Sequence, residues 1–265
     1  PPRSTPLYSS AASDVYKRQM QPTVWPWVGG FDLLDQVDVY VHYDDVQVVK
    51  RSWDVRNRIK TANGELFLTV PIRKTGHRDD TRFTTALLDD SRPWRAQHLK
   101  SIVSSYRKAP FFDEVFSLIE PLIMAPVSCL GDLNVRCIAT IADRLGIRTA
   151  MVRSSTQPAS TGKKDARLLS ICRHVNADTY VSPLGAHAYI EVETEGGAFR
   201  DSEVALYYQN YCPVPYRQLH GAFLSHMCIL DLLFNEGFGN SLPIIRSGRK
   251  SLLSSSAVRG ANARE

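Results

Sequence analysis

Leu145-Gly146-Ile147-Arg148-Thr149-Ala150-Met151-Val152 is the stretch on which the fold turns. The segment before it, 130–145, reads as a helix, Gly146 stops that helix, and 147–152 is an apolar run of strand length. A helix joined to a strand through one glycine is the joint of a fold in which the two element types alternate.

Outward from that joint the alternation continues. A helix over 164–175 feeds a strand over 179–182, and further strand-length runs lie at 37–43, 66–72 and 204–209. Helical patterns cover 94–106, which starts after Ser91-x-Pro93; 112–124, which Pro121 kinks or ends; and 228–234, which ends at Gly237. The order predicts an α/β fold: a largely parallel, Rossmann-like sheet flanked by helices, with an inserted or C-terminal helical part. Ligands of open parallel sheets collect beyond the carboxyl ends of the strands. That rule points to Asp44-Asp45, Ser154-Ser155, 182–185 and 209–211.

The chain has 265 residues, 43% of them hydrophobic and 22% charged, enough to bury a core and too apolar for a disordered or collagen-like chain. Its formal charge of +5 sits at the two ends. Arg3, Lys17 and Arg18 outweigh Asp14, and Arg246, Arg249, Lys250, Arg259 and Arg264 outweigh Glu265. Residues 20–245 are close to neutral, so no long-range attraction for nucleic acid is expected of the body. Five scattered cysteines form neither a C-x-x-C pair nor a zinc-finger spacing and read as buried thiols of a reducing cytoplasm. No apolar run approaches the roughly 18 residues of a membrane span, and no signal-peptide core is present, so a cytoplasmic location without membrane insertion is expected.

The ends read differently from the body. Asp14-Val15-Tyr16-Lys17-Arg18-Gln19 is the translation of GATGTGTATAAGAGACAG, a string that resembles a transposon end used in preparing sequencing libraries. Residues 1–19 are therefore expected to be an adapter scar, disordered and outside the fold, with native residues before Met20 missing. Residues 246–265, rich in Ser, Arg, Gly and Ala, are expected to be a disordered basic tail. The domain proper is then 20–245.

Within it, Gln21-Pro22-x-x-Trp25-Pro26-Trp27-x-Gly29-Gly30 sets rigid prolines, two indoles and a glycine pair before a helix, which suits either a ligand pocket or a tryptophan plug over the core. Asp44-Asp45-Val46-Gln47 ends a strand; one carboxylate there can hold a cation or take a proton, or the pair can simply form a turn. Lys50-Arg51-Ser52-Trp53-Asp54-Val55-Arg56-Asn57-Arg58-Ile59-Lys60 concentrates five cations against one aspartate. Too short to neutralise many phosphates, it fits a small phosphorylated or carboxylated ligand, or else a solvated loop. Ser154-Ser155 can hydrogen-bond phosphate or cap a turn. Asp231 and Asn235, four apart on an apolar helix, read as a structural brace.

Taken together these residues resemble the WbqC-like family. The likeness runs in order through Gln21-Pro22, Pro26-Trp27-x-Gly29-x-Phe31-Asp32, Asp44-Asp45-Val46-Gln47, Lys50-Arg51-Ser52-Trp53, Arg56-Asn57-Arg58-Ile59-Lys60 and Leu68-Thr69-Val70-Pro71. It continues through Tyr106-x-Lys108-Ala109-Pro110-x-Phe112, Leu145-Gly146-Ile147, Ser154-Ser155, Tyr180-x-Ser182 and Asp231-Leu232-Leu233-Phe234-Asn235-x-Gly237. The chain departs from it at Ser225 and Cys228, where the family pattern Phe-x-Pro-x-Leu-Ser has proline and serine. The resemblance implies a cytoplasmic step in the assembly of O-antigen-type surface polysaccharide, on an activated or lipid-linked sugar, with transfer of a small acyl or aminoacyl group. It specifies no metal or cofactor.

The combined expectation is a transferase acting on a nucleotide-linked or phosphorylated sugar, or a non-catalytic sugar-nucleotide binding or scaffold protein of the same pathway. Lys50, Arg51, Arg56 and Arg58 would hold phosphate or carboxylate, and Trp27 and Trp53 would stack. Gln21, Gln47, Asn57, Ser154 and Ser155 would orient the ligand, with Asp44 or Asp45 as the catalytic carboxylate.

Overall fold

The computed structural model describes residues 15–49, 51–73 and 81–262. In chain order the elements are β1 (Tyr16–Met20), α1 (Val28–Asp35), β2 (Val39–His42), β3 (Arg56–Thr61), β4 (Gly64–Thr69), α2 (Trp94–Tyr106), α3 (Phe112–Met124) and α4 (Leu130–Leu145). There follow β5 (Ala150–Arg153), α5 (Lys164–His174), β6 (Thr179–Ser182), α6 (His187–Ile190), β7 (Ala205–Tyr208), α7 (Ile229–Ser247), β8 (Leu253–Ser254) and α8 (Ser255–Asn262).

The main sheet runs β5-β2-β1-β6-β7-β8, parallel through its first five strands and antiparallel only at β8. Gly146 closes α4 at φ 81°, a conformation cheap only for glycine, and turns the chain into β5. The largely parallel α/β sheet expected from this joint is the one the chain forms. Progression across the sheet reverses between β1 and β6, which places the crevice of such folds beyond the carboxyl ends of these two strands. A larger apolar core joins α1 to α4 and α7 on one face, and a smaller one gathers Leu168, Cys172, Tyr180, Phe199 and Val258 on the other.

Three expectations are corrected. Residues 16–20 are not outside the fold but form the central strand, pairing with β2 and β6 at once. A strand covered on both faces normally reads as an apolar run, and Tyr16-Lys17-Arg18-Gln19 does not. Lys17 is completely buried, its Nζ 3.9 Å from Cys172 Sγ, and burial pushes its pKa from 10.5 to about 8. Residues 1–14 lie outside the described residues, so the scar reading of that part has no structural counterpart.

Second, the segment 246–262 is ordered: it finishes α7 and supplies β8 and α8. Arg246 and Arg249 pair with Asp32 and Asp35 on α1, so the cations taken for a tail fasten the first helix. Third, the run at 66–72 contributes to β4, which pairs with β3 in a separate antiparallel hairpin. The second half of the cationic segment is β3, with Asn57 and Ile59 buried and Arg56 and Arg58 partly exposed in the alternation of a half-buried strand.

Candidate functional site

The chain leaves β1 at Met20 and enters the loop 21–27, whose path is fixed by side chains from elsewhere. Asn134 Nδ2 donates to Pro22 O and to Asp54 O, while Asn57 Nδ2 donates to Val24 O and Trp25 O at 3.0 and 2.9 Å. Asn57, expected to orient a ligand, thus spends its amide on the loop. Trp25 is the core plug, 4% exposed, whereas Trp27, at the N-cap of α1, folds back over the first turn of that helix. Gly29 makes this possible, because a Cβ there would overlap the Trp27 indole.

Trp27 forms one wall of a cavity of about 250 Å³ lined by Met20, Thr23, Trp27, Trp53, Asn57, Arg58 and His226. Its indole stacks on the His226 ring at 4.7 Å and meets Tyr211 edge-on at 5.6 Å. Arg58 lines the cavity with its guanidinium carbon 5.7 Å from the Trp53 ring and Nε donating to His226 O at 3.2 Å. Nη1 donates to both Glu65 oxygens at 2.9 Å, so the charge of Arg58 is balanced on the spot. Burial and the neighbouring Arg58 push the His226 pKa down, leaving a neutral imidazole at neutral pH. The fold therefore brings Trp27, Trp53, Asn57 and Arg58 together, four residues that the sequence places in three separate motifs.

Other expected residues go elsewhere. Arg51 is exposed on a turn at φ 66°, and Arg56 lies 4.6 Å over the Phe67 ring on the outer face of the hairpin. Gln21 is partly exposed, Gln47 sits in an isolated bridge with Arg82, and Lys50 lies outside the described residues. Lys60 is buried and donates to Gln218 Oε1 and to Gly221 and Ala222 carbonyls, a structural post.

Asp44, Asp45, Ser154 and Ser155 do meet, at the carboxyl ends of β2 and β5, but none lines the cavity. Asp44 is fully buried and accepts from Arg153 Nε, Ser155 N and Ser155 Oγ; Ser154 Oγ, which accepts from Asp44 N, donates to Asp45 at 2.6 Å. Arg153 also reaches Asp132, and Arg167 pairs with Asp45. The hydroxyls are held by carboxylates and the carboxylates by guanidinium groups, an arrangement that ties two strand ends together. Among the described residues no group of three or more His, Cys, Asp or Glu side chains could hold a metal ion.

Asp231 is the brace its spacing predicts. It accepts from Tyr106 Oη, Tyr216 Oη and Gln218 Nε2 at 2.7 to 2.8 Å, and burial raises its pKa against those bonds. Cys228 is the N-cap of α7 and fully buried, and burial drives its thiol up to about 12, which removes it as a nucleophile. Sequence reasoning missed Met20, Thr23 and His226. His226 sits inside the one segment that departs from the family pattern, and that departure was the signal available.

The chain is an open, mainly parallel α/β sheet with an aromatic cavity beyond the end of its first strand, the place where ligands of such sheets collect. The WbqC-like protein family model matches residues 21–241, and the chain belongs to that family. It is 33% identical over 220 residues, 82% of this chain and 92% of the other, to a Mycobacterium tuberculosis (strain ATCC 25618 / H37Rv) protein named "Uncharacterized protein Rv1507c". No solved structure matches the chain.

Proposed function

We propose that this cavity binds the sugar of a nucleotide-linked or phosphorylated substrate, and that the protein transfers a small acyl or aminoacyl group to it in a cytoplasmic step of surface polysaccharide assembly. The observation that carries the reading is the convergence of Trp27, Trp53 and Arg58 on one concave site beside the sheet's reversal point. Flat indole faces suit the apolar face of a sugar ring, and a guanidinium beside them suits its hydroxyls or a phosphate. In this reading His226 takes the place first given to Asp44 or Asp45. In the tautomer whose Nδ1–H donates to Ser225 Oγ, Nε2 carries the lone pair that would accept a proton from a sugar hydroxyl.

One observation favours the second reading, a non-catalytic sugar-nucleotide binding protein: among the described residues no carboxylate lines the cavity. Incubating the protein with mixtures of acyl donors and nucleoside-diphosphate sugars, followed by mass spectrometry, separates the two, since only an enzyme yields a new mass. Binding is tested by thermal shift with nucleoside-diphosphate sugars and sugar phosphates. Trp27→Ala and Arg58→Gln are expected to remove the stabilisation, whereas Arg56→Gln leaves it. Undiminished shifts in both cavity variants would overturn the proposal.

A further inference from the structure

Beside the cavity, the turn before β3 and the outer face of the hairpin expose three large apolar side chains: Val49, 55% exposed, Trp53, 49%, and Phe67, 41%. The Trp53 and Phe67 rings are 6.1 Å apart, and Arg56 covers one edge of the Phe67 face while Arg51 stands at the tip of the turn. Arg58 is neutralised by Glu65, but among the described residues neither Arg51 nor Arg56 has a carboxylate within ion-pair distance. Uncompensated cations ringing an exposed indole and phenyl are a poor fit to bulk water and a good fit to one environment. Tryptophan partitions to the headgroup level of a bilayer, and arginine is drawn to an anionic leaflet.

We infer that this face docks on an anionic membrane surface, with Trp53 and Phe67 in the headgroup layer and Arg51 and Arg56 on lipid phosphates. The docking is peripheral, since no helix of the described residues is long and apolar enough to cross a membrane. Trp53 belongs to both the patch and the cavity wall, so docking sets the cavity mouth at the lipid surface. The inference stands independently of turnover in the cavity.

The test is sedimentation of the full chain with vesicles of phosphatidylcholine alone or mixed with phosphatidylglycerol, at low and at high salt. Binding to the anionic vesicles only, weakened by salt, is expected, with a blue shift of tryptophan emission that Trp53→Phe removes. Arg51→Glu with Arg56→Glu, and separately Trp53→Ala with Phe67→Ala, should each lower the partition coefficient on the order of tenfold or more. Circular dichroism confirms that these surface variants fold. Absence of binding at low salt, equal binding to neutral vesicles, or binding undiminished in both variants, as the basic ends alone would give, overturns the inference. The sugar thermal-shift assay, run without lipid, reports on the cavity separately.

Discussion

Gly29 shows how one missing side chain can place a functional one. The Trp27 indole occupies the space a Cβ would need, so Gly29→Ala must either push the indole off the first turn of α1 or shift the turn itself. Overpacking of this kind costs about 1–3 kcal/mol, more than the roughly 1 kcal/mol of helix propensity that alanine returns. The variant is expected to lose stability in urea unfolding, and with Trp27 displaced from His226 its tryptophan emission should move to the red. A substitution that stabilises the protein and leaves the emission unchanged would show that Trp27 does not depend on Gly29. The glycine pair was visible in the sequence as a place of close approach; what approaches, the chain's own indole rather than a ligand, was not.

At the scale of elements, α7 carries a weak start. Cys228 has the extended dihedrals of an N-cap, φ −64° and ψ 161°, but makes no side-chain capping bond. Serine, the residue of the family pattern, has an oxygen that accepts from the first-turn N–H groups, so Cys228→Ser is expected to raise the urea midpoint by the equivalent of about 1 kcal/mol. Cys228→Ala should not. Elements were legible where local chemistry and burial agree: the bounds of α2, α3 and α4 and of β6 follow from periodicity, proline and glycine alone. They were hidden where the two conflict. In β3, Arg56, Arg58 and Lys60 alternate with Asn57 and Ile59, but cations on every second position read as a charge cluster before they read as a strand. In β1 a lysine fills an apolar position, and no local signal remains. The cavity was legible as its separate motifs, because stacking and ion-pairing residues declare their chemistry. Which of the cations reaches the cavity was not, because Arg56 and Arg58 share one face of β3 and differ only in their neighbours, Phe67 for Arg56 and Trp53, Glu65 and the His226 carbonyl for Arg58.

For the molecule as a whole, buried bases make stability depend on pH at both ends of the scale. Burial, partly countered at His42 by Asp44 and at His98 by its bond to Thr69 O, lowers both imidazole pKa values from 6.5 to about 4. Between these limits the unfolded chain binds more protons than the folded one, so stability falls as pH drops through that window, by up to about 3 kcal/mol for each ring. Among the described residues neither His42 ring nitrogen has a hydrogen-bond partner, so His42→Leu leaves no orphaned partner there and should flatten about half of the acid decline. Lys17 acts at the other end. With a folded pKa of about 8 against 10.5 unfolded, it again leaves the unfolded chain with more protons as pH rises from 8, which favours the fold, while the buried thiols of Cys137, Cys172 and Cys228, raised from 9.0 to about 12, 11 and 12, work against the fold from about pH 9 upward. At neutral pH the buried ammonium is a standing cost of about 3 kcal/mol by the same linkage. Lys17→Met, which keeps the length of the stem and removes the charge, is expected to raise the urea midpoint at neutral pH and to steepen the loss of stability above about pH 9, since the opposing contribution of the lysine is gone. A midpoint lowered by the substitution would mean that the ammonium, in contact with Cys172, holds the central strand in place instead of straining it.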